Sequence, residues 1–504
     1  MKFNFTNKGK NKMVNYEGEQ AYRLSPEWQL YTATVTSALS DKFYEGTGNR
    51  IETLRSLIAK CDPVFVAQLA IYTRQKMNLR SIPLVLAVEL AKVHRGDSVV
   101  SRMVSQIVKR ADEIMELLAY YQLANNRKDI KKLNRLSKQI QAGLQNAFNG
   151  FDEYQFAKYN RDAEVKLRDA LFLVHPKAKD EAQQVLFNKI VNDSLSTPYT
   201  WETELSALGQ TKFYTDGEKA AAFRFKWEEL IDSRKLGYMA LMRNLRNILE
   251  AKVSDVHIDK VCETLANAEN VRRSKQLPFR FLAAYREISQ EKSAYAGRVL
   301  DALEKAVVVS AENIKGFDAE TSVLLACDVS GSMYQAVSPK SKIKAYDIGL
   351  MLAMLLKSRC KNAITGMFGD TWKIINVATS GILSNVEAFY RRNGEVGYST
   401  NGYLVIQDLV KRKEQVDKIM IFTDLQLWNS NNDTKIVSVW NDYKRISPNS
   451  KLYLFDLAGY GNTPLDITKE DVYLIAGWSD KVFDIIEAID NGGSALDEIR
   501  KIEF

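Results

Sequence analysis

Residues 18–310 place apolar side chains at i, i+3, i+4 and i+7 in one stretch after another, and near residue 320 this period gives way to short apolar runs with helical stretches between them. A period of 3.6 builds helices with one buried stripe, whereas an apolar run of six residues fits a strand buried on both faces. The spacing predicts helices over 63–74, 82–92 and 99–109. Asp62-Pro63 and Ser81-Ile82-Pro83 read as helix starts, with a capping side chain near an early proline. Nine prolines in 504 residues leave few helix breakers. Helices of this length with short links predict an α-solenoid of HEAT-like hairpins, although no strict sequence repeat is present.

The second part reads as alternating β and α. Strands are expected at 322–327, 363–368, 418–422, 451–455 and 472–475, and helices at 343–356, 386–392, 402–411, 436–443 and 481–489. That order predicts a doubly wound α/β domain with a parallel sheet. A chain of 504 residues exceeds a single hydrophobic core, which stops growing near about 250–300 residues, so two units are expected. The sequence boundary falls near 310–320, giving domains over 18–315 and 316–504.

Charge separates the same two parts. Residues 1–310 hold 48 Lys and Arg against 37 Asp and Glu, and residues 311–504 hold 22 against 25, so the net +8 divides into +11 and −3. A basic face attracts polyanions, nucleic acid first, through counterion release. Within the basic part, 125–138 reads as an amphipathic helix bearing Lys128, Lys131, Lys132, Arg135 and Lys138. It is either a solvated helix face or a phosphate-contacting one. Cys61, Cys262, Cys327 and Cys360 are scattered without a C-x-x-C pair, and His94, His175 and His257 are dispersed. Neither set suggests a zinc site or a disulfide scaffold. No stretch reaches the roughly 18 apolar residues of a membrane span. The N-terminal MKFNFTNKGKNK lacks a signal-type apolar core, so a cytoplasmic location is expected.

Directly after the first predicted strand comes Asp328-Val329-Ser330-Gly331-Ser332-Met333. Ligands of open α/β sheets bind beyond the carboxyl ends of strands. A carboxylate and two hydroxyls at alternating positions there suit a hard divalent cation of the Mg²⁺ kind, which takes oxygen ligands. A further hydroxyl, Thr400 or its neighbour Ser399, precedes a helix, and Asp424 ends another strand. Two neutral serine ligands leave such a cation under-neutralised and receptive to an acidic group from a partner. The order D-x-S-x-S, then T, then D resembles the metal-ion-dependent adhesion site (MIDAS) of von Willebrand factor A domains. Enzymatic readings are excluded in turn. Hydrolases with an Asp at the first strand end need a second Asp two residues on, where Ser330 stands. No P-loop occurs, and no Ser or Cys nucleophile has a plausible base among three histidines.

Several phrases then add up in order. They are Asp62-Pro63-x-Phe65, Leu69-Ala-Ile-Tyr-Thr-Arg74, Leu79-Arg80-x-x-Pro83, Lys158-Tyr159-x-Arg161, Leu167-Arg168-Asp169, His175-Pro176-Lys177, Leu241-Met-Arg243-Asn-Leu-Arg246-Asn247, Leu277-Pro-Phe-Arg280-Phe and the Asp328 motif. Together they resemble the TROVE module and A domain of the Ro autoantigen family, in a bacterial or phage member, over roughly residues 18–490. The resemblance implies a monomeric ring of HEAT-like hairpins closed by the A domain. It also implies small non-coding, Y RNA-like molecules on the basic outer surface and single-stranded 3′ ends of misfolded RNA in the central hole. An exoribonuclease or another protein would join through the RNA or the metal site. It points to Lys158, Arg161, Lys166, Arg168, His175 and Lys177 as RNA contacts, with Arg74 and Arg80 facing the ring; the alternatives are a structural turn at His175-Pro176-Lys177 and a structural salt bridge for Arg80 beside its helix start. Lys131, Lys132 and Arg135 lie on the segment that looks like an insertion. The competing expectation is a metal-dependent protein adhesion module without RNA. There the solenoid groove would hold a peptide and Asp328, Ser330, Ser332, Thr400 and Asp424 would capture a partner's carboxylate.

Overall fold

Parallel strand pairing, not helix packing, fixes where the chemistry sits. In the computed structural model, which describes residues 12–37, 48–127, 135–160, 163–312, 314, 317, 320–337, 341–378, 380–429, 435–469 and 471–504, a six-stranded sheet carries the C-terminal part. Its six strands, and the three of a smaller sheet ordered β1-β2-β8, are in chain order β1 (Lys12–Val14), β2 (Gln20–Arg23), β3 (Ser322–Asp328), β4 (Asn362–Phe368), β5 (Trp372–Ile374), β6 (Lys418–Thr423), β7 (Lys451–Asp456), β8 (Asn462–Thr463) and β9 (Val472–Ala476). The order across the large sheet is β5-β4-β3-β6-β7-β9. All neighbours are parallel except the antiparallel edge strand β5. The five expected strands are present to within one residue at either end. β5 is an addition, too short to stand out in the sequence.

Alternate residues of the strands bury opposite faces, as the period of two demands. Leu324, Ala326, Ile419, Ile421, Leu452 and Leu454 join one core with Tyr403, Ile406, Leu409, Trp440 and Tyr443. On the other face, a side chain at Gly349 of helix Ala345–Arg359 would press on Phe422 and Leu457 at 3.2 and 3.1 Å, so glycine lets helix and sheet approach.

The compact units cut the chain elsewhere than at the change of sequence pattern. One comprises Met1–Thr36 and Phe213–Ala495, the other Ser37–Lys212 and Leu496–Phe504. Buried charge explains why helices before residue 312 group with the α/β sheet. Arg286 of helix Pro278–Ile288 donates to Asp347 at 2.7 and 2.9 Å and to Glu387 at 2.6 Å, and Asp347 is fully buried. Glu304 of helix Ala296–Ala311 accepts the N–H groups of Leu383 and Ser384, capping helix Ile382–Tyr390.

Residues 18–23, expected to open the helical series, are not helical: Gly18 lies in a bend (φ 85°) and Gln20–Arg23 are extended. β2 pairs antiparallel with β1 and with β8, joining Tyr22 to Thr463. Strands of three and four residues carry no local period, and their partner lies some 440 residues away in sequence.

The other unit is a series of packed helices, among them Pro63–Gln75, Ser81–Val93, Val99–Ile107, Asp112–Ala124 and Lys138–Phe148. Asp62 caps the first by accepting from Val64 and Phe65 at 2.7 and 3.3 Å, with Pro63 at the first position. Ser81 does not cap the next helix, because its hydroxyl donates to Glu116. The basic segment 125–138 is not a continuous helix. Helix Asp112–Ala124 ends in a left-handed Asn126 (φ 52°), with Arg127 N–H returned to Gln122 and Asn126 N–H to Leu123. This 6→1, 5→2 pair is a Schellman stop. Lys131 and Lys132 lie outside the described residues, and Arg135 is exposed.

Gly143 of helix Lys138–Phe148 faces Val104, where a Cβ would sit 2.5 Å from Val104 Cβ and 2.7 Å from the Ser101 carbonyl oxygen. Gly143→Val is therefore expected to lower stability by about 1–3 kcal/mol or more, read as a reduced urea midpoint at unchanged slope.

Candidate functional site: a cation cradle and a cation–aromatic face

Adjacent strands bring Asp328 and Asp424 together. β3 and β6 pair Cys327 with Phe422, so Asp328 at the end of one lies beside Thr423-Asp424 at the end of the other. Both carboxylates are buried, at 1% and 2% exposure. Asp328 Oδ1 accepts Ser330 N–H at 2.9 Å and Oδ2 accepts the Thr423 hydroxyl at 2.6 Å. Ser330 and Ser332 hydroxyls lie 3.2 Å apart. Asp424 Oδ1 accepts Gln426 N–H at 3.0 Å.

Three loops interlock around these groups. Gly331 N–H donates to the Tyr398 carbonyl, Asn401 N–H to Gly369 and Trp428 N–H to the Thr400 carbonyl. Ser399 N–H is held by Asp370 at 3.0 Å, while Thr400 is buried. Of the two hydroxyl residues, Thr400 is the buried one.

Two oxygens of the cradle are left over: Thr400 Oγ1 and Asp424 Oδ2 are buried and have no hydrogen-bond partner among the described residues. Each orphaned buried group costs about 1–3 kcal/mol, so the arrangement asks for a further partner. Burial pushes both carboxyls above the usual carboxylate range, and for Asp328 the nearby Asp424 charge adds to that shift. Two carboxylate and three hydroxyl oxygens in one dry corner fit a hard cation, which would satisfy the orphans and offset the like charges. Among the described residues no group of three or more His, Cys, Asp or Glu is placed to hold a metal, so neutral hydroxyls are integral to this donor set.

The second region lies on helices Glu153–Tyr159 and Leu167–Val174. Lys158 and Arg168 are exposed, with Lys158 Nζ 5.7 and 5.8 Å from the Tyr154 and Tyr159 rings and Arg168 Cζ 5.8 Å from Phe172. Tyr154 and Phe172 are 46% and 48% exposed. Arg110 lies 4.5 Å over Tyr159. Sequence reading overlooked these aromatic rings, yet the signal was available: Tyr154 and Lys158, and Arg168 and Phe172, are four apart on a helix and so share a face. Lys166 and Lys177 are exposed, while Arg161 lies outside the described residues. His175 takes a left-handed conformation (φ 50°) that ends its helix, and its carbonyl accepts from Gln145 at 3.1 Å. Its backbone is a structural turn, with the ring left at the surface.

Arg74 and Arg80 are not free for phosphate. The buried Glu113 accepts from Arg74 at 2.8 Å, and Arg80 at 3.5 Å, together with the N–H groups of Lys109 and Arg110. Arg74 is only 11% exposed at its side chain. A carboxylate inside a helical core needs such partners, and these arginines supply them.

Helical hairpins with an exposed cation–aromatic face, on a chain that also forms an A domain with a D-x-S-x-S cradle, define a class of two-part scaffold. The family model of the TROVE domain matches residues 31–212 and 192–315, and that of the Ro60 vWA domain matches residues 322–489. The chain belongs to the Ro family of TROVE-domain proteins. Telomerase protein component 1 of Rattus norvegicus is 26% identical over 335 residues, covering 51% of this chain and 12% of that protein. The Mus musculus protein of the same name is 26% identical over 314 residues, covering 47% and 11%. The chain thus spans about an eighth of the length of these relatives. The crystal structure of the Deinococcus radiodurans RO (RSR) protein matches with a TM-score of 0.60 at 17% identity, over 93% of this chain and 100% of that one. At that identity the match speaks for the fold. Among the described residues no helix is long and apolar enough to cross a membrane.

Arg74→Ala strands Glu113 without its main cation and is expected to destabilise the protein by about 3–5 kcal/mol, read as a reduced urea midpoint. In EDTA, the raised cradle carboxyls hold a proton that the unfolded chain releases. Stability should therefore fall as pH rises above the ordinary carboxylate range. Asp424→Asn removes one of the two charges and should flatten that decline, raising the EDTA melting temperature at pH 8 relative to the wild type.

Proposed function

We propose that this chain is a non-catalytic RNA-binding scaffold of the Ro type. The observation that carries the reading is a pair of exposed cation–aromatic groups on successive helices, Lys158 beside Tyr154 and Tyr159 on one and Arg168 beside Phe172 on the next, with Lys166 exposed before the second. Cations there neutralise phosphates, and rings offer flat surfaces to unpaired bases, each stacked base contributing about 1–3 kcal/mol. Family membership supports the same reading. The finer proposal is a small structured RNA of the Y RNA kind on this face. Single-stranded 3′ ends of misfolded RNA would be taken up elsewhere on the helical part, with the protein acting in RNA quality control in the cytoplasm. An exoribonuclease is the protein partner proposed to meet it through shared RNA. Recognition would rest on shape and unpaired ends more than on base sequence.

Asp328, Ser330, Ser332, Thr400 and Asp424 are proposed to hold Mg²⁺. The two orphaned oxygens and the crowded carboxyls support this. A cation bound there would present an electrophilic position to an acidic side chain of a partner. Thr423 holds Asp328 Oδ2, and the backbone of Gln426 holds Asp424 Oδ1, so that the carboxylates stay aimed at one point.

Filter binding of a structured small RNA across salt concentrations tests the first proposal. Log affinity should fall linearly with log salt, and Lys158→Glu with Arg168→Glu should weaken binding and flatten the slope by about 0.7–0.9 per lost phosphate contact. A slope near zero in the wild type would reject RNA binding. For the cation, Asp328→Ala should abolish the Mg²⁺ heat seen by calorimetry, and an unchanged isotherm would reject the site.

A further inference from the structure

The hairpin formed by β1 and β2 lies outside both family matches, which begin at residue 31. Its turn nevertheless reaches the loop that carries Asp424. Asn15, 7% exposed, is the hub. Its Oδ1 accepts the N–H groups of Glu17 and Glu19 at 3.1 and 2.9 Å, which closes the turn. Its Nδ2 donates to the Leu427 carbonyl at 2.9 Å. Next to it, Tyr16 N–H donates to Gln426 Oε1 at 3.0 Å. Gln426 is itself buried, and its Nε2 donates to Asn462 Oδ1 at 3.3 Å, on the strand that pairs with β2.

The loop so gripped is strained. Leu425, between Asp424 and Gln426, is buried and sits at φ 64°, in the left-handed region. An L-residue there costs about 1–2 kcal/mol and stays only where its surroundings over-determine it. Within that turn Gln426 N–H donates to Asp424 Oδ1 at 3.0 Å, and Oδ2 has no hydrogen-bond partner among the described residues.

We propose that the N-terminal hairpin is a strap that positions Asp424. Asn15 and the Tyr16 backbone hold loop 424–429 in its strained form, and so set the affinity of the cradle for a divalent cation. Asn15 is a positioning residue, acting on Asp424 through Leu427 and Gln426. The inference rests on the cation reading above and adds a control element to it.

Two substitutions separate a strap from a mere hairpin stabiliser. Asn15→Ala removes all three side-chain bonds. Asn15→Asp keeps the two acceptor bonds that close the turn and loses only the donor to Leu427. The test uses the full chain, titrated with Mg²⁺ alone by calorimetry and by melting-temperature shift, and hydrogen exchange of the 425–428 amides in EDTA. Both variants should bind Mg²⁺ at least tenfold more weakly than the wild type, and both should exchange those amides faster, while the amides of Glu17 and Glu19, whose acceptor is kept, exchange faster in Asn15→Ala than in Asn15→Asp. Wild-type affinity and unchanged exchange in Asn15→Asp would overturn the strap while leaving the cation site intact. No Mg²⁺ response in the wild type itself would overturn the cation reading and the strap with it.

Discussion

Two carboxylates driven into one dry corner at the carboxyl edge of a parallel sheet are the constraint from which much of this protein's architecture follows. Asp328 and Asp424 are buried side by side because β3 and β6 are neighbours in register. Burial pushes each group toward its protonated form, and for Asp328 the neighbouring Asp424 charge adds to the shift. The surroundings answer with donors: the Ser330 and Gln426 amides and the Thr423 hydroxyl. They also close the corner with loops pinned to one another by backbone bonds. Two oxygens stay unanswered, and it is on them that the cation reading rests.

Elsewhere the same problem is solved internally. Asp347 and Glu113 are fully buried, and arginines are committed to them: Arg286 to the first, Arg74 and Arg80 to the second. These pairs join helices remote in sequence. Breaking one leaves a bare charge inside, which is far costlier than a pair at the surface would be worth. They also change what the +11 of the first 310 residues means. Part of that charge is strutwork, unavailable to a polyanion. Lys158 and Arg168, by contrast, face solvent beside aromatic rings, and the RNA proposal rests on them.

How much was legible in the sequence follows from how local each signal is. Strands β3, β4, β6, β7 and β9 were readable because each is a compact apolar run bounded by breaks. Asp62-Pro63 announced a helix start and is one, because a side-chain cap and a fixed φ act within three residues. Ser81 looked alike and behaves differently, since Glu116 from another helix takes its hydroxyl. The run 125–138 has a helical charge pattern, but a left-handed Asn126 stops the preceding helix before it begins. For Arg80 a salt bridge beside a helix start was readable as one of two alternatives, whereas for Arg74 only the presence of Glu113 shows a structural role.

The sequence by itself determined the order of elements, the division of charge, the family and the metal-motif residues, because periodicity, composition and short motifs are local properties. Only the tertiary structure decided that the helices after residue 213 group with the sheet, that the Thr400 hydroxyl is buried without a partner among the described residues, and that Asn15 of the N-terminal hairpin bonds to the loop after Asp424. The reason is common to all three. Each depends on whether a buried polar group finds a partner from a distant part of the chain, and that pairing has no trace in local spacing.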